Sequence, residues 1–323
     1  MIVTWDDRYK QAVIALWNEE AVKDGYKELT EQSFDDIFRL NPYFDAQNTF
    51  LLLEENVVKG FACGCTGDDL PLGAQAGYIT CMVLAGSSQT DGNYMRLLDA
   101  LEQRFKLLGK QQADVLFFNP MRLPWYIPDT PQHEHNNAPG LPVDSAVYKF
   151  LLQAGYMERT KQCAMYLLLE GFTIPADMKA KESKAAAGGY TVELFDAAKH
   201  HAVAEMLEAL NNPLWQQEIG QSTQTGVPVV VAALHGQVVG FAGPVIHQAN
   251  GRGYFAGIGV HPEHEGHGLG SILFFKLCEA FREIGTSYMS LYTGMTNPAI
   301  RIYEKAGFRT VKHFSVMRKE LAQ

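Results

Sequence analysis

At 323 residues the chain is about twice the length of an ordinary domain, and two domains are the natural expectation. With 47% hydrophobic and 20% charged residues it reads as an ordinary globular protein, each half of which can bury its own core. The net charge of −9 argues against nucleic-acid and anionic-membrane partners, and no apolar run approaches the roughly 18 residues that a membrane span needs.

The charge is lopsided. Residues 1–170 carry 23 acids against 14 bases, whereas residues 189–323 carry 11 and 10. Solubility accounts for this, and attraction of a cationic amine is the second reading. The opening run Met1-Ile-Val-Thr-Trp-Asp-Asp-Arg8 lacks the basic-then-apolar order of a secretory signal, so a cytoplasmic location is expected. The five cysteines show no metal-type pairing and read as reduced, inert thiols.

In chain order the first half opens with a strand at 2–5 and an amphipathic helix at 9–20. A hairpin follows over 50–62, then an apolar strand at 77–84. A helix carries Leu97, Leu98, Leu101, Phe105 and Leu108 on one stripe and ends at Gly109. A fifth strand is expected at 115–118. A Pro-, His- and Asn-rich stretch at 120–142 comes next, and a last helix runs into Ala154-Gly155-Tyr156. Residues 171–188 are small, polar and rich in Lys and Ala, and read as a linker.

Beyond it the same order returns: a strand at 191–195, a helix at 197–210, a hairpin over 229–242, a strand at 254–260, a helix, a strand at 288–292 and a helix into Ala306-Gly307-Phe308. The helical stripe of Leu273, Phe274, Leu277, Phe281 and Ile284 stands 176 residues after its counterpart and ends at Gly285. The chain therefore reads as two copies of one α/β unit, over 1–170 and 189–323.

The chemistry lies in the second copy. The run from Gly257 to Phe274 is strand, glycine-dense loop and helix, with Gly266, Gly268 and Gly270 leaving backbone N–H groups free to approach a ligand. Such donors, with the dipole of the helix they open, form a phosphate site. A Walker loop is excluded because no Lys follows Gly270. A Rossmann fingerprint fits neither the Gly-x-Gly-x-Gly spacing nor the late position.

Val260-x-Pro262-x-x-Glu265-Gly-x-Gly268-x-Gly270-Ser271 resembles the pyrophosphate motif of the GCN5-related N-acetyltransferases, Arg/Gln-x-x-Gly-x-Gly/Ala. Glu265 stands at the Arg/Gln position, where a carboxylate is tolerable if it points outward. Asn297-Pro-Ala-Ile-Arg-Ile-Tyr303-Glu-Lys-Ala-Gly307-Phe308 is similar to a second motif of that family. The resemblance implies two tandem domains, each a mixed, mostly antiparallel sheet flanked by helices. It further implies an acetyl-CoA site made by Ile258, Gly259, Val260, Glu265, Gly266, His267, Gly268, Leu269, Gly270, Ser271, Asn297 and Tyr303, with Tyr303 as the catalytic acid on the leaving thiolate. The implied activity is direct acetyl transfer to an amine of a small molecule or peptide, by a monomer or homodimer. A non-catalytic acyl-CoA-binding or regulatory module is the alternative.

His261, His264 and His267 recur every three residues, but in a loop, so no metal site is expected. His133, His135, His200 and His201 read as solvated. For the base that deprotonates the amine, His261, Glu263 and a water chain stay open. The first copy has lost the motif. It keeps Gln89 and Gly92, but Tyr94 stands at the second glycine, Asp91 adds negative charge and Leu151 replaces the tyrosine. It is expected to be a structural partner, as in tandem members of the family whose C-terminal domain is the active one.

Overall fold

Strand Ile2–Thr4 pairs antiparallel with Thr49–Glu54, Val3 opposite Leu51. Thr49–Glu54 turns into Val57–Cys65 through Glu55 and Asn56, both at positive φ, as a tight two-residue hairpin requires. Ala76–Leu84 lies beside Val57–Cys65, and helix Asp91–Leu107 covers the sheet with Leu97, Leu98, Leu101 and Phe105 wholly buried. A computed structural model describes residues 1–321 apart from Phe118.

The fifth strand is Gln112–Val115, three residues earlier than its apolar run indicates, and Phe118 lies outside the described residues. Two partners fix this register. On one edge Gln112, Ala113 and Asp114 pair in parallel with Ala76, Gly77 and Tyr78. On the other lies the last strand of the chain, Arg309–Glu320, antiparallel, with Met317 opposite Val115 and Arg318 opposite Asp114. Asp114 accepts from Arg318 Nε at 2.9 Å and Nη2 at 2.8 Å, and Lys319 pairs with Glu102 at 2.9 Å.

The two compact units therefore differ from the two sequence halves. One comprises Met1–Ala164, Tyr292–Thr296 and the residues from Thr310 onward. The other comprises Met165–Leu291 and Asn297–Arg309. Both contain mostly antiparallel sheet flanked by helices, with parallel pairs at Ala76–Leu84 with Gln112–Val115 in the first and Arg252–Tyr254 with Tyr288–Gly294 in the second.

In the second unit Tyr190–Leu194, Val230–Leu234, Gln237–Gly243 and Gly257–Val260 form a four-stranded antiparallel sheet. The expected linker at 171–188 is largely a helix, Ala176–Ala187. Its Ala, Lys and Glu residues are strong helix formers. Met178 and Ala185 are buried, and Glu182 pairs with Lys276 of helix Leu269–Glu283 at 3.2 Å. The expected helix at 197–210 shrinks to Val203–Ala209, because Ala202 before it is left-handed. A second helix, Pro213–Thr225, follows with Asn212 as its cap.

Two histidine readings are corrected. His200 is buried against Phe195 and accepts from the Asp196 N–H at 3.0 Å. His135 is buried, with its ring 4.3 Å from that of Tyr292. Apolar ring area removed from water outweighs solvation at both, since each imidazole retains polar partners.

Candidate functional site

Residues 254–260, which read as one strand, are two. Arg252–Tyr254 runs parallel to Tyr288–Gly294, and buried Arg252 fastens it by donating to the Ser290 hydroxyl at 2.7 Å and the Ser290 carbonyl at 2.9 Å. Gly257–Val260 turns instead to Gln237–Gly243, Gly240 opposite Val260 and Ala242 opposite Ile258. It is the edge strand of its sheet, so one side of its backbone has no strand partner.

Helix Pro213–Thr225 holds the break. Trp215 Nε1 donates to the Ala256 carbonyl at 3.1 Å, and the Tyr254 hydroxyl donates to Glu218 at 2.7 Å. At Gly259 an added Cβ would sit 2.5 Å from Leu210 and 2.9 Å from Phe241, so only glycine allows this packing. Trp215 and Glu218 were missed in the sequence reading. The Asn212-Pro213 pair, a helix cap followed by proline at the first helical position, is the signal that could have found their helix.

After the edge strand the chain makes a short turn at Pro262–His264 and enters helix Leu269–Glu283 through Gly268, whose φ is +75°. That left-handed conformation suits glycine, and glycine has no side chain with which to cap the helix. Among the described residues no side chain caps it. The first-turn N–H groups at Leu269, Gly270 and Ser271 have no intrahelical acceptor, and the helix dipole adds partial positive charge there. Gly270 leaves the approach open: a Cβ at this position would meet only Val260, at 3.9 Å. The end of this helix has what an anion needs.

The other residues singled out from sequence fall around this point or behind it. Glu265 is exposed and forms no ion pair among the described residues. Gly266 is exposed with φ +81°, and Ser271 is half-buried in the first turn. His267 is exposed, its ring 5.0 Å from that of Tyr190, whose hydroxyl bonds His264 Nδ1 at 3.0 Å. His261 Nδ1 accepts from the Glu263 N–H at 3.2 Å. His264 and His267 both pack on Tyr190, the His261 ring lies 5.8 Å from that of His264, and among the described residues no group of three His, Cys, Asp or Glu could hold a metal.

Asn297 is exposed. Its Oδ1 accepts from the Ala299 N–H at 2.9 Å and shapes the turn into helix Ile300–Lys305, and its amide donors bond to no described residue. Tyr303, on that helix, packs 4.8 Å from the Phe274 ring and bonds its hydroxyl to no described residue. Burial raises its pKa, which keeps the phenol protonated.

In the first unit the matching loop is closed from within. The Thr90 hydroxyl accepts from the Asn93 N–H at 3.2 Å and caps helix Asp91–Leu107. Glu20, only 6% exposed, accepts from the Gly86 N–H at 2.8 Å, Lys23 Nζ at 2.7 Å and Gln89 Nε2 at 3.4 Å. Gln89 also donates to the Leu84 carbonyl at 3.1 Å. Tyr94, at the position of Gly270, is buried and stacked 5.2 Å from Phe150, and Leu151 is wholly buried. The N–H of Asn93, the counterpart of Leu269, is thus met by the protein's own Thr90 hydroxyl.

Comparison with known proteins agrees with this geometry. The sequence model of the Acetyltransferase (GNAT) family matches residues 191–308. A mycothiol acetyltransferase of Saccharomonospora viridis is 39% identical over 85 residues, which cover 24% of this chain and 28% of that relative. Among solved structures, the GCN5-related glucosamine N-acetyltransferase region of a fungal multi-domain β-N-acetylglucosaminidase is similar over 99% of this chain, at 15% identity and a TM-score of 0.65, although this chain spans only 38% of that one. A GCN5-related N-acetyltransferase of Sphaerobacter thermophilus covers 100% of this chain and matches over 96% of its own, at 16% identity and a TM-score of 0.63. A tandem GNAT protein from the clavulanic acid biosynthesis pathway matches over 100% and 99%, at 14% identity and a TM-score of 0.57. Residues 191–308, which carry the uncapped glycine-loop helix, the divided strand and Tyr303, match the Acetyltransferase (GNAT) family, and the chain as a whole shares the fold of tandem GNAT proteins.

Proposed function

We propose that this protein transfers an acetyl group from acetyl-CoA to a primary amine of a small molecule or peptide, and that residues 189–323 carry the reaction. The observation that supports it most is the open N-terminus of helix Leu269–Glu283. N–H groups from Gly266 to Ser271 are suited to grip a pyrophosphate, with Glu265 turned to solvent. The unpaired edge of Gly257–Val260 offers the backbone N–H groups of Ile258 and Val260, on either side of Gly259, to the oxyanion that forms as the amine attacks the thioester carbonyl. The Asn297 amide is left free to bind the cofactor arm. Tyr303 supplies the proton taken by the departing sulfur, so the carbon–sulfur bond breaks without releasing a bare thiolate. The substrate ammonium loses its proton before attack, to His261, Glu263 or water.

The experiment is a screen of amines, glucosamine and peptide N-termini among them, with acetyl-CoA and detection of the released CoA thiol. Thiol release that depends on one acceptor supports the proposal. Tight acetyl-CoA binding with no acylation of any acceptor replaces it with a binding module.

A further inference from the structure

The cleft that the first unit closes to phosphate is not filled. A cavity of about 140 Å³ remains between the end of helix Lys10–Glu20, the strand end at Cys81–Leu84 and the turn at Ser145–Val147. All of its lining belongs to the first unit. Strand Ala76–Leu84 pairs with Gln112–Val115 only as far as Tyr78, so its later backbone borders the cavity with a free edge.

The polar groups of the wall are unevenly used. Its charged and amide donors are spent: Lys23 bonds Glu20, and the Gln89 amide bonds Glu20 and the Leu84 carbonyl. One carboxylate is not. Asp24 accepts no hydrogen bond from any described residue, and the phenols of Tyr26 and Tyr94 bond to none. Burial raises the Asp24 carboxyl pKa, Lys312 opposes this, and Asp144 and Glu20 add to it. Lys312 itself stands 3.6 Å from Asp144. The remaining wall is aromatic and aliphatic, with Trp17 and Met82 beside the two tyrosines.

A concave, mostly apolar site with a carboxylate that accepts no hydrogen bond from any described residue, set among aromatic rings, fits a cation. A cavity near this volume holds a body about the size of benzene. We propose that the first unit binds a small primary ammonium on an apolar body, held by Asp24 and the open edge of Cys81–Leu84. This goes beyond acetyl transfer and does not depend on it, since no residue of the proposed acetyl-CoA site takes part.

The test uses the full chain labelled at methionine methyl groups and titrated with benzylammonium, benzyl alcohol and benzoate. The expected result is a saturable shift of the Met82 methyl with benzylammonium alone, unchanged by saturating acetyl-CoA. Asp24→Asn, with an unaltered methionine spectrum when free, should weaken the binding at least tenfold. A Met82 signal that does not move with benzylammonium overturns the proposal. So does an equal response to benzyl alcohol, which would make the cavity merely apolar, or undiminished binding by Asp24→Asn. The comparison of the three ligands on the unaltered protein needs no variant to fold.

Discussion

The ring of Tyr303 lies 4.8 Å from that of Phe274, and its hydroxyl bonds to no described residue. Packing and chemistry are therefore separable at this residue. Tyr303→Phe keeps the ring contact and should cost acetyl-CoA binding at most about 1 kcal/mol. The proton for the leaving sulfur is lost, so kcat should fall roughly tenfold to a hundredfold. Steady-state kinetics with an acceptor from the screen, beside acetyl-CoA calorimetry, separates the two effects. Unchanged turnover would make Tyr303 a packing residue.

Tyr303 also predicts a pH limit. Burial raises its pKa above the ordinary value of 10.0, so any alkaline loss of kcat that depends on this phenol should begin above pH 10 and be missing from Tyr303→Phe. The stability contribution has the same sign. The folded pKa exceeds the unfolded one, so the contribution is whole below pH 10 and is lost as pH rises through the folded value. A pH–rate profile and alkaline unfolding curves for both proteins test the two statements.

Gly270→Tyr copies what stands at Tyr94. The added Cβ meets only Val260, so the fold should survive, while the ring occupies the approach to the helix end. Acetyl-CoA affinity should fall at least a hundredfold, with an unchanged circular dichroism spectrum. A folded variant that binds normally would remove this loop from the phosphate site.

One acetyl-CoA should bind per chain. In the first unit Glu20 already holds the Gly86 N–H and Tyr94 fills the glycine position. Calorimetry giving two equivalent sites would show that Glu20 yields to phosphate.

Asp114 is 4% exposed and receives two hydrogen bonds from Arg318. Asp114→Asn leaves that guanidinium without its counter-charge and should cost about 2–4 kcal/mol, below the loss for a fully buried pair because Arg318 keeps some access to water. The urea midpoint of the first transition measures it. A midpoint unchanged from the parent protein would mean the pair contributes nothing.

The glycine loop and the helix it opens were legible because they are written locally. The glycines at 266, 268 and 270 and the offset of 176 residues between the copies required only spacing, and the structure places a helix start in both. What was not legible depends on groups distant in sequence. Glu20 reaches a loop 66 residues away, and nothing near Gly86 in the chain announces it. The split of the strand at 254–260 is set by Trp215, 41 residues from the carbonyl it holds. The supposed linker misled because a sparse apolar pattern was weighed above strong helix propensity, and burial of Met178 and Ala185 decided the matter.

The sequence by itself indicated a repeated order of elements, most of the hairpins and long amphipathic helices, and the copy whose glycine loop opens a helix. These follow from periods of two and 3.6 and from the special backbone of glycine, all local properties. Tertiary structure alone decided where each final strand goes. An apolar alternation tells a strand which face to bury but not which edge to join, because backbone hydrogen bonds are the same at every edge. Arg309–Glu320 joins Gln112–Val115, where Arg318 meets Asp114 and Lys319 meets Glu102. Those partners lie 204 and 217 residues away along the chain, and only folding brings them into reach.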